Sequence, residues 1–255
     1  MKFRNLFVLT ALLSVAISVW AADTKVIAHR GHWKPDGSAQ NSIRSLVKAD
    51  SIGCYASEFD VWMTLDSVMV VNHDPTINGI VIETTPSEVV LAQKLNNGET
   101  VPTLDAYLAT AAGLPNLRLV CELKAHNSSS NEKAALKRIL DLVEKYNLGD
   151  RVDYITFSKN GFKNFINMAP KGTPAYYLTG DYVPQQIKFM NGAGIDYPIS
   201  AVKKHPEWIQ QCHDLGLLVN IWTVDNDDDM QWCIDNNADF ITTNEPEKLQ
   251  KLLKK

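Results

Sequence analysis

The sequence predicts a closed parallel α/β barrel of the TIM type, (β/α)8, with a short hairpin extension at the C-terminal rim after its second strand. Three observations carry that prediction. Eight short apolar runs alternate with amphipathic stretches of helical spacing, the pattern of strands joined by crossover helices. The 255 residues, 45% of them hydrophobic, fit one core of the usual size for such a barrel. Residues with chemistry to offer gather at the ends of the runs, on the face where such barrels carry their sites.

The first run is Val26 to Ala28, and the amphipathic stretch Ser42 to Asp50 follows it. The second run, Ser57 to Val61, is separated from another, Val68 to Val71, only by Trp62 to Ser67. A parallel crossover needs roughly a dozen residues, so Val68 to Val71 is not the next barrel strand. It is expected to turn around Leu65-Asp66-Ser67, come back antiparallel and deliver Asn72-His73-Asp74 to the barrel mouth. Leu117 to Leu123 is the third strand, followed by the helical pattern Glu132 to Tyr146. Tyr154 to Phe157, Ala175 to Leu178 and Asp196 to Val202 come next, then the helical stretch Pro206 to Leu215. Leu217 to Trp222 and Phe240 to Thr242 complete the ring. Asp225 to Asp229 is acidic but lacks the glycine and distal glutamate of a helix–loop–helix calcium site, and reads as a solvated helix start.

Residues 1–21 read as a signal peptide and residues 22–255 as the barrel domain. Lys2 and Arg4 precede a short apolar run, Leu6 to Val19, and Val19-Trp20-Ala21 leads to a cleavage position after Ala21. The run is too short for a comfortable transmembrane helix. The protein is therefore expected to be secreted or periplasmic, with no stable membrane insertion after cleavage. Removing Lys2 and Arg4 leaves 23 basic against 29 acidic residues, a formal net charge of −6. That balance, without a basic stripe, disfavours a nucleic-acid partner. Cys54, Cys121, Cys212 and Cys233 show no CxxC spacing, which argues against a zinc site, and their pairing is not readable from sequence.

The ends of the runs carry His29-Arg30-Gly31, Glu58-Phe59-Asp60, His73-Asp74, Glu122-Leu123-Lys124 and Trp222-Thr223. On a strand, residues two apart share a face, so Glu58 pairs with Asp60 and Glu122 with Lys124. Three carboxylates facing the barrel interior would repel one another unless a cation held them. Oxygen ligands suit a hard divalent cation, Ca2+ or Mg2+. Arg30 and Lys124 would hold an anion such as phosphate, and Trp222 would line its pocket. His29 and His73 titrate near neutral pH and suit a general base and a general acid. Together these point to cleavage of a small phosphodiester. His32, Trp33 and His126 neighbour the motifs and read as loop or supporting residues.

Here the chain resembles the glycerophosphodiester phosphodiesterases. Ala28-His29-Arg30-Gly31, Glu58-Phe59-Asp60-Val61 and Val71-Asn72-His73-Asp74 are similar to that family's first three motifs. Val101-Pro102-Thr103-Leu104, Glu122-Leu123-Lys124, Phe157-Ser158, Trp222-Thr223-Val224 and Asp239 to Pro246 follow in family order. The resemblance, running from Lys25 to Leu253, implies a TIM barrel with a divalent metal on Glu58, Asp60 and Glu122. It also implies His29 and His73 as the acid–base pair, and Arg30 and Lys124 on the phosphate. The products would be glycerol 3-phosphate and an alcohol, by way of a cyclic phosphate made by the substrate's own glycerol hydroxyl. Three departures stand out: Gln40 replaces a glutamate of the family pattern, the segment Pro75 to Glu83 is short and lacks an expected arginine, and Asn244 replaces an aspartate. Related barrels that cleave phosphatidylinositol, sphingolipid or lysophospholipid diesters remain open, as does a non-catalytic barrel that only binds a phosphodiester.

Overall fold

The computed structural model describes residues 24–34 and 37–254, and the predicted leader lies outside them. Eight parallel strands form the barrel. They are β1 (Lys25–Ala28), β2 (Ala56–Met63), β3 (Arg118–Leu123) and β4 (Val152–Thr156), then β5 (Ala175–Tyr177), β6 (Gly194–Pro198), β7 (Leu218–Trp222) and β8 (Phe240–Thr243). Each pairs with its neighbours in chain order, and β1 pairs with both β8 and β2, which closes the ring. The eight expected strands are all present. Most boundaries shift by one or two residues, and one shifts further: the run expected over Asp196 to Val202 stops at Pro198, and Ile199–Val202 is a short helix. Pro198 has no N–H to offer the next rung of the ladder.

Side-chain alternation separates two cores. Phe59 and Val61 point outward into the layer between the strands and the helices, where they join Leu46, Tyr107 and Leu108. Glu58 and Asp60, at the alternate positions, turn inward. Ile27, Ala56, Val120, Ile155 and Tyr176 fill the barrel axis below them. The helices of the outer layer begin where the sequence offers caps. Ser42 accepts from the Ser45 N–H before Ile43–Ser51, Thr103 from the Ala106 N–H before Leu104–Ala112, and Asn226 from the Asp229 N–H before Asp227–Asp235. The Asp225 to Asp229 stretch is thus a capped helix start. Cys54, Cys121, Cys212 and Cys233 are all buried free thiols.

The hairpin forms as expected. A return strand, Met69–Val71, lies antiparallel on β2 with Val61 opposite Val71 and Met63 opposite Met69. The Asn72 N–H donates to the Asp60 carbonyl at 3.0 Å, so the ladder runs to the threshold of His73. The chain then makes a small ribbon, Thr76–Ile77 against Ile80–Val81, and a one-and-a-half-turn helix, Ser87–Leu91. Trp62, Val70, Ile82, Val90 and Val101 form a satellite core under this excursion. Among the described residues, no helix is long and apolar enough to cross a membrane.

Candidate active site

The first loop is shaped by backbone. Arg30 sits at φ 56° and Gly31 at φ 78°, so the chain makes a left-handed turn straight after β1. A Cβ on Gly31 would lie 2.4 Å from Ser45 Oγ, so only glycine fits there. That turn aims the Arg30 N–H at Glu58 Oε2, 2.9 Å away. It also carries the guanidinium to Gln40 Oε1 at 2.7 Å, with Nε 3.5 Å from Asp60 Oδ2. Gln40 is therefore a partner of Arg30. Asn41 holds Asp60 from two sides: its amide donates to Oδ2 at 2.8 Å, and its Oδ1 accepts from the Asp60 N–H at 3.2 Å.

The three predicted carboxylates converge. Glu58, Asp60 and Glu122 each offer an oxygen, and these oxygens lie within 4.8 Å of one another. All three side chains are buried. Lys124 Nζ stands 3.0 Å from Asp60 Oδ1 and 2.8 Å from Glu122 Oε1. Its ammonium is raised above the usual lysine range, because Asp60 and Glu122 outweigh the cost of its burial. Burial, with Asp60 and Glu122 beside it, pushes Glu58 well above the usual carboxylate range. Burial and Asp60 likewise push Glu122 up to about 8. Asp60 moves the other way: burial would raise it, but Lys124, His73 and Arg30 hold it below its ordinary value. Three carboxylates share the site with two cations, Lys124 and Arg30, which leaves one negative charge over, and Glu122 Oε1 is buried without an aligned hydrogen bond. An all-oxygen donor set with unspent negative charge fits a hard divalent cation.

His29 and His73 face one cavity of ≈ 100 Å³, open at its mouth, that Arg30, Glu58 and Glu122 also line. Asp60 and Lys124 do not line it. Ile155, Phe157, Leu178 and Trp222 make an apolar wall. The Trp222 indole N–H donates to the Asp196 carbonyl at 3.0 Å, and Phe157 meets the ring edge-on with centroids 5.6 Å apart. His126 accepts the Met63 N–H through Nε2 at 3.2 Å and ties the end of β2 to the loop after β3.

A sequence profile described as the Glycerophosphoryl diester phosphodiesterase family matches residues 29–248. The chain belongs to that family. With it, the protein is placed among the phosphoric diester hydrolases. A solved glycerophosphodiester phosphodiesterase from Parabacteroides distasonis is 44% identical with a TM-score of 0.89, covering 91% of this chain and 98% of that one. A glycerophosphodiester phosphodiesterase of Caldanaerobacter subterraneus subsp. tengcongensis is 27% identical over 251 residues, 91% of this chain and 98% of its own. An Oleispira antarctica phosphodiesterase, solved with its product sn-glycerol-3-phosphate, shares the fold at a TM-score of 0.74 and 19% identity, over 91% of this chain and 97% of that one.

In this phosphodiesterase the Asn244 position has a visible role. His29 Nδ1 lies 2.9 Å from Asn244 Oδ1. The amide is oriented by Asp225, which accepts from Asn244 Nδ2 at 2.8 Å and from the Asn244 N–H at 2.8 Å. An oxygen facing His29 makes Nδ1 the protonated nitrogen, and leaves Nε2 free, 3.9 Å from Glu58 Oε2. Burial, with Arg30 nearby, lowers His29 to about 4, so its ring is neutral. His73 is half-exposed and bonds Asp74 through Nδ1 at 2.7 Å. It is lowered by burial, against the pull of Asp60. Sequence reading missed two residues of the cavity lining, Asp196 and Thr242. The available signal was alternation, since Asp196 is a lone charge between outward-facing Ile195 and Tyr197.

Proposed function

We propose that the protein hydrolyses glycerophosphodiesters to glycerol 3-phosphate and an alcohol, with a divalent cation on Glu58, Asp60 and Glu122. The observation that carries this reading is the single cavity that brings His29, His73 and Arg30 onto two of those three carboxylates. A bound Ca2+ or Mg2+ would supply positive charge for the phosphoryl oxygens and ease loss of a proton from a nearby hydroxyl. His29 is the general base: its Nδ1–H is committed to Asn244, so Nε2 accepts the proton of the attacking glycerol hydroxyl. His73, at the open mouth, is the general acid that protonates the departing alcohol oxygen, with Asp74 holding its ring. Arg30 steadies the phosphate from the cavity wall, and Trp222 packs on the organic part. Lys124 holds Asp60 and Glu122 in register. The cyclic phosphate then opens by the reverse proton movements, His73 activating water and His29 returning its proton.

The N-terminal signature supports a secreted or periplasmic place of action. The test is glycerol 3-phosphate release from glycerophosphocholine and glycerophosphoethanolamine with calcium, with magnesium and with EDTA, alongside His29→Ala and Glu58→Ala. Release that EDTA and both substitutions abolish is the expected result. No release with either metal from folded protein sinks the reading.

A further inference from the structure

The cavity lining includes buried polar residues, Asp196 and Thr242, that the proposed chemistry does not use. Asp196 lies two residues short of the end of β6, beside Asn220, which lies two short of Trp222 on β7. Asp196, Asn220 and Thr242 are all buried, at 2%, 4% and 3% exposure. Asn220 Nδ2 donates to Asp196 Oδ1 at 2.9 Å and lies 2.9 Å from Thr242 Oγ1. Among the described residues, Asn220 is the sole hydrogen-bond donor to the Asp196 carboxyl, and no cation faces it; Asp153 adds charge of the same sign. Asp196 and Thr242 nevertheless line the same cavity as His29 and Glu58. A buried carboxyl with a spare oxygen turned to a ligand cavity calls for a donor on the ligand.

Geometry says which part of the ligand arrives there. The mouth, with Phe157 at 41% exposure, can admit alcohols of different lengths. The lining around Asp196 and Thr242 is buried, as are Leu178 and Ile155, and leaves room there for a short group of fixed length. With the phosphate at the histidines and Arg30, the group of fixed length is the three-carbon glyceryl unit. We propose that Asp196 is a specificity-determining residue that accepts a hydrogen bond from the terminal hydroxyl of that unit, with the Thr242 hydroxyl beside it. This assignment rests on the glycerophosphodiester reading given above. A hydroxyl suits the site better than an ammonium because burial raises Asp196 to about 7. A hydroxyl can donate to the ionised form and accept from the protonated one, whereas an ammonium serves only the first.

The test compares glycerophosphocholine with propane-1,2-diol 1-phosphocholine, which keeps the diester and the adjacent hydroxyl but has a methyl in place of the terminal hydroxymethyl. The wild-type protein is expected to favour the glyceryl diester in kcat/KM by roughly 10- to 100-fold, the effect of one hydrogen bond to a buried charged group. In Asp196→Ala that ratio is expected to fall to within about threefold of one. Asn220 keeps Thr242 as a partner in that variant. A wild-type ratio near one overturns the proposal without any variant, and so does a high ratio that survives Asp196→Ala. Hydrolysis of neither diester overturns the glycerophosphodiester reading instead. Calorimetric binding of glycerol 3-phosphate against propane-1,2-diol 1-phosphate then decides the Asp196 assignment, equal affinities refuting it.

Discussion

Replacing Asn244 with leucine tests whether His29 works in one imposed tautomer. The substitution removes the 2.9 Å contact to His29 Nδ1 and the 2.8 Å bond from the amide to Asp225. It leaves Asp225 two donors, the residue-244 backbone N–H at 2.8 Å and Thr243 Oγ1 at 3.2 Å. The fold should therefore lose only about 1–2 kcal/mol. The catalytic loss is larger in kind: an imidazole without its Nδ1 partner can rotate or carry its proton on Nε2, which removes the base. One orienting hydrogen bond is worth about 1.5–3 kcal/mol in such a setting, or roughly a 10- to 150-fold fall in kcat. KM should barely move, because Asn244 does not line the cavity. Steady-state release of glycerol 3-phosphate gives kcat and KM, and nitrogen NMR of labelled histidine gives the tautomer. A kcat within threefold of wild type, or a rise in KM with kcat intact, refutes the orienting role. Asparagine also suits this position for an electrostatic reason. An aspartate at 244 would set its carboxylate against that of Asp225 at hydrogen-bonding distance, with no amide hydrogens between them.

Three further outcomes follow from the same geometry. Asp196 is raised by burial to about 7 from its ordinary 3.8, so the unfolded chain ionises first. Its contribution to stability is greatest below about pH 4 and falls by about 4 kcal/mol as pH rises to about 7. Urea midpoints of Asp196→Asn against wild type should diverge over that window in favour of the variant, and parallel curves would contradict the buried carboxyl. Glu58→Gln should weaken calcium or magnesium binding by roughly 100-fold or more in a direct calorimetric titration, with the fold intact by circular dichroism. Gly31→Ala meets both the left-handed φ of 78° and the 2.4 Å approach to Ser45 Oγ. It should cost about 2–4 kcal/mol in a thermal melt.

What the sequence made legible was whatever depended on period and order. Eight strands, the reversal at Leu65-Asp66-Ser67 and the inward turn of Glu58, Asp60 and Glu122 all follow from alternation and segment length. Pro198 marks a strand end that the apolar run through Val202 obscured. Tertiary neighbours were not legible. Nothing local to Lys124 says that its ammonium will settle between Asp60 and Glu122 rather than in the cavity. Nothing local to Gln40 says that it will hold Arg30. Asp225 and Asn244, on separate strand-end loops, meet only because β7 and β8 are adjacent.

The hairpin after β2 explains why a histidine so far from the barrel wall can take part in chemistry. His73 is held by a ladder, not by packing: Val61 faces Val71, and the Asn72 N–H reaches the Asp60 carbonyl. The Trp62 indole N–H adds a bond to the His73 carbonyl at 3.2 Å. The carboxylate of Asp60 and the imidazole of His73 thus hang from two rungs of one ribbon, and their separation is set by β geometry. The far end of the ribbon, with Leu65 62% exposed, carries none of this constraint. Insertions at Leu65 to Ser67 should leave the site assembled, whereas a one-residue slip between Val61 and Val71 would turn every side chain over and take His73 out of the cavity.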